Sequence, residues 1–144
     1  MNAVEIEEAI SLLAEQPFVP AEFPYSFLEA FGNKETTIKR LKSGNNNKSD
    51  IVGGILQQNN IHIAVSEPGQ VTETLKKLKD SPATIKARAR FILATDGKEF
   101  QAEDMSSGET VACDYPVFHN HFGFFLPLAG ISDTQKISAS ECAT

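Results

Sequence analysis

The sequence predicts an α+β domain built from N-terminal helices, a β-hairpin, a further helix and a three-stranded β segment. Three observations predict this class. Apolar residues first recur at helical spacing, and short apolar runs typical of strands follow from residue 51. The two patterns do not alternate in the repeating order of a doubly wound sheet. The chain has 144 residues, and we assign 1–131 to a single domain and 132–144 to a polar C-terminal tail.

Two helices are predicted at the start of the chain. Asn2 and Glu5 have the spacing of a capping box, so the first helix is placed at 4–15. The second helix, at 23–31, carries Phe at positions i, i+4 and i+8 of one face. Gly32 follows it and suits the position after a helix end.

A hairpin and a mixed set of elements are predicted after the helices. Two short apolar runs, 51–57 and 61–65, are separated by Asn59-Asn60, and Asn tolerates the positive φ of a hairpin turn. The remaining elements are a helix at 71–80, strands at 90–95, 99–104 and 110–114, and an intensely apolar segment at 118–131.

Charge is distributed unevenly along the chain, whose net charge is −6. Residues 1–33 carry six acidic and no basic residues, whereas 34–90 carry eleven basic and five acidic residues. Residues 91–144 are again acidic, with eight acidic and two basic residues. A field of this kind selects partners, so the central segment is a candidate surface for nucleic acid. The alternative is a set of solvated helix faces.

The basic residues concentrate on a third predicted helix, at 34–42, whose Ile38 and Leu41 face inward. A polar loop of Asn and Ser follows and would add hydrogen bonds to phosphate or sugar. The predicted nucleic-acid-binding residues are Lys34, Lys39, Arg40, Lys42 and Lys48. A second basic group that would extend this surface consists of Lys76, Lys77, Lys79, Lys86, Arg88 and Arg90.

Several function classes are disfavoured. No apolar run approaches the ~20 residues of a membrane span, and the acidic N-terminus is unlike a secretory signal. Cys113 and Cys142 lie far apart and form no CxxC pair, which disfavours a disulfide framework or a zinc site. We therefore expect a cytoplasmic protein with no membrane partner.

Two histidines are weak candidates for a metal site. His119 and His121 would point to the same side of an extended segment and share a metal with Asp114 or His62. The alternative is that one imidazole hydrogen-bonds the backbone.

A group of carboxylates is the other candidate for chemistry, because hydrolytic nucleases hold Mg²⁺ with carboxylates on adjacent strands. The alternative is a solvated sheet face. The residues are Asp96, Glu99, Glu103 and Asp104.

Three sequence blocks between about residues 20 and 131 carry a family resemblance. They read FPYSFLEAFGNKETTIKRLKSG with NNNKSD, GGILQQNNIHIAV, and ARARFILATDGKEFQAEDMSSGETV with HFGFFLPLAGI. Together they resemble the N-terminal region of MmeI-type (type IIL) restriction–modification proteins and related class I SAM-dependent DNA methyltransferases. In full-length members a methyltransferase domain with an NPPY-type motif follows, so the resemblance implies a free-standing or truncated copy of the module.

Members of this family that cut DNA resemble PD-(D/E)XK nucleases, with an Asp before a hairpin and an ExK motif on its second strand. The matching strand here reads NIHIAV, at 60–65, and has neither the Glu nor the Lys. Asp50 is the only carboxylate near the first position. The resemblance therefore implies a degenerate restriction-endonuclease-like core without its active site.

These observations lead us to expect a non-catalytic accessory module that needs no cofactor and contacts DNA phosphates or a partner methyltransferase. A second hypothesis is a homo-oligomeric protein-interaction module. A third is a residual metal-dependent nuclease using Asp96 or His119. The interface of the second hypothesis would consist of Phe122, Phe124, Phe125 and Leu126.

Overall fold

Helices cover both faces of a five-stranded sheet in the computed structural model, which describes residues 2–44, 47, 49–51 and 54–130. The predicted α+β class is confirmed. The predicted tail at 132–144 lies outside the described residues. Within the described part, no helix has the length and apolar character needed to span a membrane.

The helices and strands follow one another in nearly the predicted order. The helices are α1 (Ala3–Glu15), α2 (Phe23–Ala30), α3 (Glu35–Ser43), α4 (Val71–Asp80) and α5 (Pro82–Lys86). The strands are β1 (Ile55–Gln57), β2 (Ile61–Val65), β3 (Phe91–Thr95), β4 (Glu99–Asp104) and β5 (Thr110–Asp114). A 3₁₀ segment, Tyr115–Ala129, follows β5.

The predicted start of α1 is confirmed in detail. The Asn2 side chain accepts a hydrogen bond from the Glu5 backbone N–H at 2.9 Å, and the Glu5 carboxylate accepts one from the Asn2 backbone N–H at 3.0 Å. Both bonds satisfy backbone donors that have no partner inside the helix. Ile6 and Ile10 are then buried one turn apart.

The strands lie in the order β1-β2-β3-β4-β5. The predicted hairpin is confirmed, because β1 and β2 are antiparallel, although β1 begins at Ile55 rather than at residue 51. β2 and β3 are parallel, with α4 and α5 forming the crossover between them. The other two neighbouring pairs are antiparallel. Every residue of the central strand β3 is buried, which explains its continuous apolar run.

The short helix α5 is absent from the sequence-based assignment. Its signal is Ser81 followed by Pro82, since a Ser cap and a Pro in the first turn both favour a helix start. A helix of five residues is too short to show apolar periodicity.

The sheet separates two apolar layers. The aromatic face carries α1, α2, α3 and the 3₁₀ segment, whereas the opposite face, here called the α4 face, carries α4 and α5. Along β3 the side chains alternate: Phe91 and Leu93 belong to the aromatic face, and Ile92 and Ala94 to the α4 face.

The 3₁₀ segment closes the aromatic face. Phe118 stacks on Phe100 of β4, with ring centroids 4.7 Å apart and planes 5° from parallel. Phe125 lies edge-on to Phe27 of α2 at 5.2 Å and packs against Phe91 of β3 at 5.4 Å. Phe125 is 1% exposed, so it is a core residue and cannot belong to the surface predicted for it.

We predict that Phe125→Ala lowers the free energy of unfolding by about 3–5 kcal/mol, because it removes buried ring contacts and leaves a cavity. Val117→Ala, at a position in the same segment that is 42% exposed, should cost about 0.5 kcal/mol or less. Urea unfolding of both variants measures the difference. Equal losses would show that Phe125 is not a central core residue.

Candidate nucleic-acid interface

Helix α3 presents most of the predicted nucleic-acid-binding residues. Ile38 and Leu41 are 7% and 1% exposed and anchor one side of the helix in the aromatic face. Gly44 ends the helix with φ 87°, a conformation that residues with a Cβ rarely adopt. The opposite side of α3 is exposed to solvent and carries Lys39 and Arg40.

Part of the charge of α3 is compensated locally. Lys39 pairs with Glu35 at 3.4 Å. Lys42 pairs with Glu22 of the α1–α2 connection at 3.3 Å, and its ammonium lies 5.1 Å from the ring centroid of Tyr25. Exposed pairs of this kind are weak, typically about 0–1 kcal/mol, so a phosphate can compete with the carboxylates.

The other three predicted residues differ from this pair. Lys34 and Arg40 are exposed, and the described residues place no carboxylate within 4.0 Å of either cation. Lys48 lies outside the described residues. Lys34 and Arg40 are therefore the cations of α3 with the least local compensation.

The second basic group is divided rather than continuous. Lys79 pairs with Glu103 at 3.2 Å, and Arg90 pairs with Asp104 at 3.2 Å. Two further lysines line a surface depression of about 550 Å³ together with acidic residues; the lining includes Lys76, Lys77, Asp50, Glu73 and Asp80. Four cations of the group are exposed and have no carboxylate within 4.0 Å among the described residues, namely Lys76, Lys77, Lys86 and Arg88, and of these Lys86 and Arg88 lie outside the acidic depression.

The carboxylate of Asp96 organises the turn between β3 and β4. It accepts hydrogen bonds from the backbone N–H groups of Lys98 and Glu99, both at 2.8 Å, and from Gly69 at 2.9 Å. Slight burial raises the pKa of Asp96, but the bonds from Glu99, Gly69 and Lys98 outweigh it and hold the pKa below its ordinary value. Asp96 is therefore engaged in turn structure.

The predicted solvated sheet face is wrong for Glu103 and Asp104. Both are buried, at 9% and 4% exposure, because each forms an ion pair at the end of β4. Burial raises the pKa of Asp104, but hydrogen bonds from Ser106 and Arg90 outweigh it and lower the pKa overall. Among the residues that the structure describes, no three His, Cys, Asp or Glu side chains come together as a metal site would require.

The two histidines predicted on an extended segment lie instead in the 3₁₀ segment. Such a helix has three residues per turn, so side chains two residues apart diverge. The His119 Nδ1 atom is buried and has no hydrogen-bond partner among the described residues, whereas His121 is exposed. The expected shared direction of His119 and His121 is therefore wrong.

A buried chain of hydrogen bonds passes through His62, which the sequence suggested only as an additional metal ligand. His62 is 0% exposed and lies on the α4 face of β2. Its Nε2 is 2.7 Å from Ser49 Oγ, and its Nδ1 is 2.8 Å from Thr84 Oγ1. A Cβ on Gly54 would lie 2.5 Å from Ser49 Oγ, so only glycine permits this approach.

The protonation of His62 follows from its neighbours. The Thr84 hydroxyl donates to the Leu78 carbonyl at 2.7 Å, so its oxygen accepts from His62 Nδ1–H. Nε2 is then unprotonated and accepts the single proton of the Ser49 hydroxyl at 2.7 Å, in preference to the Ile51 carbonyl oxygen at 3.2 Å. Burial lowers the pKa of His62 from 6.5 to about 4, although the negative charge of Asp50 acts in the opposite direction. The imidazole is thus neutral at pH 7.

Asp50, the neighbour of Ser49 in the chain, is hydrogen-bonded to Ser81 at the start of α5. Its carboxylate accepts a hydrogen bond from Ser81 Oγ at 2.7 Å. The chain segment around Ser49 and Asp50 is thereby held against β2 and the start of α5. The signal that sequence reasoning missed is a single His inside an otherwise apolar strand, which indicates a buried and hydrogen-bonded imidazole.

The predicted interface residues separate into one core residue and three surface residues. Phe122, Phe124 and Leu126 are half-buried and pack partly on the aromatic face. Val117, in the same 3₁₀ segment, is 42% exposed.

The fold and these surfaces define an α+β domain with a cationic helix and a neutral buried histidine. The chain belongs to the MmeI N-terminal domain family, whose sequence profile matches residues 1–144. It is 24% identical over 135 residues to DNA methyltransferase A of Bacillus subtilis (strain 168). That alignment covers 94% of this chain and 15% of the relative, so the chain spans only a small part of the relative's length.

The resemblance seen in the sequence is therefore confirmed at the level of the family. No solved structure matches the chain. The comparison with a restriction-endonuclease-like core stays a prediction.

We predict that the free energy of unfolding falls as the pH is lowered from 6.5 towards 4, partly because of His62. The folded state binds a proton on His62 only near pH 4, whereas the unfolded chain binds it near 6.5. His62→Gln, which cannot titrate, should flatten this dependence in urea unfolding between pH 6.5 and 4.5. The matched control is His121→Gln at an exposed site, which should leave the pH dependence unchanged.

Proposed function

We propose that this domain is a non-catalytic module of a DNA modification system that contacts the DNA phosphate backbone through α3. The observation that carries the proposal is the pair of exposed cations Lys34 and Arg40, which have no carboxylate within 4.0 Å among the described residues. Membership of the MmeI N-terminal domain family and similarity to a DNA methyltransferase support a DNA context.

The packing of α3 suits a role in positioning rather than base reading. Its apolar side is fixed by Ile38 and Leu41, so the exposed cations project from a rigid element. Lys and Arg neutralise phosphates and release counterions, which gives affinity without sequence information. Lys39 and Lys42 would join the contact by exchanging their weak carboxylate partners for phosphate.

The hydrogen bonds of the candidate catalytic side chains also support a binding role rather than a catalytic one. The carboxylates of Asp96 and Asp104 accept several hydrogen bonds each, and the Nδ1–H and Nε2 of His62 are both engaged. These groups hold turns and loops in place. We therefore propose that the chain itself performs no cleavage or methyl transfer.

We predict that a fluorescein-labelled DNA duplex binds the protein with an affinity that falls steeply with salt. In Lys34→Glu/Arg40→Glu, the slope of log K against log[salt] should decrease by about 1.8, because each lost phosphate contact removes about 0.9. Fluorescence anisotropy at several salt concentrations measures this slope. The matched control is Lys76→Glu/Lys77→Glu, which makes the same charge change on α4.

The control variant should keep the wild-type slope, because Lys76 and Lys77 lie beside Asp50, Glu73 and Asp80 rather than on α3. Absence of duplex binding at low salt would overturn the proposal. Equal losses in both double variants would indicate a response to net charge and would remove α3 as the contact surface.

Self-association is a second candidate function, favoured by incompletely buried apolar residues of the 3₁₀ segment. Val117 is 42% exposed, and Phe122, Phe124 and Leu126 of the same segment are half-buried. Apolar residues that are adjacent and incompletely covered are typical of interfaces. A second copy of the chain, or a partner methyltransferase, would cover them.

We expect Val117→Glu to abolish a dimer if this surface mediates self-association, because it places a charge in an apolar contact. Light scattering of the wild type and variant at high concentration tests this. The matched control is Val4→Glu on α1, where the side chain is 61% exposed. A wild type that stays monomeric excludes the homo-oligomer and leaves only the partner protein.

A further inference from the structure

The turn between β1 and β2 meets the end of α5 at one corner of the molecule. The backbone N–H of Asn59 donates to the Ala87 carbonyl at 2.8 Å. The backbone N–H groups of Arg90 and Phe91 both reach the Asn60 carbonyl, at 2.9 and 3.0 Å. We call the exposed side chains at this junction, which are Gln58, Asn59, Lys86 and Arg88, the amide corner.

Two hydrogen bonds between neighbouring amide side chains lie next to the corner. Gln57 Nε2 donates to Asn33 Oδ1 at 2.8 Å, and Asn60 Nδ2 donates to Gln57 Oε1 at 2.7 Å. Asn33 directly precedes Lys34. Lys34 is the first residue of the α3 surface, a name we give to the exposed side chains of Lys34, Lys39, Arg40 and Lys42. The residues that flank Gln58 and Asn59 are therefore connected by hydrogen bonds to the residue before Lys34.

The other two amides remain available for a ligand. The side chains of Gln58 and Asn59 are exposed and make no hydrogen bond within the described residues. Each amide offers both a donor and an acceptor, a combination that suits phosphate oxygens, sugars and base edges.

The backbone at the corner is unusual. Asn59 and Arg88, with φ 67° and 56°, are the non-glycine residues of positive φ in the described part of the chain. Asn tolerates this conformation, whereas Arg has no such preference. Strain that persists at a non-glycine residue is often associated with a functional site. Here the strained residue directly follows Ala87, which accepts the bond from Asn59, and its exposed side chain lines a neighbouring depression with Met105 and Ser106.

The amide corner carries two cations, whereas the nearest carboxylates along α5 lie at its start, where Asp50 bonds Ser81. Residues 54–66 and 81–90 contain no Asp or Glu, whereas the second range contains Lys86, Arg88 and Arg90. Arg90 is engaged with Asp104. Lys86 and Arg88 have no carboxylate within 4.0 Å among the described residues.

A concavity of about 510 Å³ opens beside these side chains. Its lining consists of Gln58, Pro82, Ala83, Lys86 and Ala87. The Pro and Ala side chains provide an apolar wall for a deoxyribose ring. Lys86 and Gln58 provide a cation and an amide for the neighbouring phosphate.

We propose that the amide corner is a second contact for duplex DNA, in which Lys86 and Arg88 bind successive phosphates and Gln58 binds the intervening sugar–phosphate unit. This inference rests on the proposed function and extends its surface from α3 around the β1 edge to α5. The inference assigns DNA binding to four residues that lie outside α3, namely Gln58, Asn59, Lys86 and Arg88.

The test compares three variants of the full 144-residue chain by anisotropy with a labelled duplex and with one of its single strands. Lys86→Gln/Arg88→Gly should decrease the salt slope for duplex by about 1.8, since two phosphate contacts are lost. Gln58→Ala should lower duplex affinity several-fold with an unchanged slope, because an amide carries no charge. Lys76→Gln/Lys77→Gln is the matched control and should keep both values.

Arg88→Gly alone separates binding from folding. Glycine adopts positive φ without a Cβ clash, so this variant should unfold at a higher urea concentration than the wild type and still bind duplex more weakly. A variant that binds as tightly as the wild type would overturn the role of Arg88. Unfolding at a lower urea concentration would instead give Arg88 a structural role and also overturn it.

The remaining outcomes distinguish this inference from the proposed function. If the α3 variant loses slope and the Lys86/Arg88 variant does not, the amide corner is refuted and the α3 contact stands. If the reverse holds, the amide corner stands without α3. Absence of duplex binding by the wild type, or equal binding of the single strand, overturns the duplex contact at the corner.

Discussion

Packing of aromatic rings between the sheet and the 3₁₀ segment determines where the other elements of the aromatic face lie. Phe125 contacts Phe27 of α2, Phe91 of β3 and Phe100 of β4, and thus joins three parts of the chain that are distant in sequence. Aromatic side chains each bury about 150–250 Å², so few other contacts in a domain of this size compare with them. Because α2 is held in this way, α3, which follows after a short turn, is held with it.

The α4 face combines apolar packing of α4 on the sheet with a set of buried polar contacts. His62 is buried in β2 with both ring nitrogens satisfied, one by Ser49 and one by Thr84 of α5. A buried polar group without partners is costly, so this chain of bonds specifies one position for Ser49 and one for α5. The location of Lys86 and Arg88 therefore depends on a histidine that is itself inaccessible to solvent.

Packing on these two faces leaves exposed cations on α3 and α5, near the β1 side of the sheet. The carboxylates at the end of β4, on the other side, are paired with cations. The α3 surface and the amide corner approach each other around the β1 edge, through the bonds between Asn33, Gln57 and Asn60. On β4, Glu103 and Asp104 are neutralised by Lys79 and Arg90. An arrangement of this kind supports the proposed contact with a polyanion.

Local patterns in the sequence determined the class of the fold and most of its elements. The capping box at Asn2, the Phe spacing of α2 and the apolar run of β3 each act within one element, so they can be interpreted without knowledge of the rest of the chain. Contacts between distant segments could not be predicted in this way. The sequence indicated neither the pairing of Lys42 with Glu22 nor the burial of Phe125, because each depends on which residues a neighbouring element brings close. The Lys39–Glu35 pair differs, since both residues belong to α3 at i, i+4 spacing.

The same difference between local and distant contacts applies to the candidate site, which consists of α3 and the amide corner. The cations of α3 were predicted because amphipathic spacing alone shows which side of a helix faces solvent. The amide corner required the tertiary structure, since Gln58 and Arg88 are thirty positions apart in the chain and their backbone segments are joined only by the bond from Asn59 to Ala87 and its neighbours. Likewise, the sequence determined that His62 would stand in an apolar strand, and only folding decided that Ser49 and Thr84 would satisfy it.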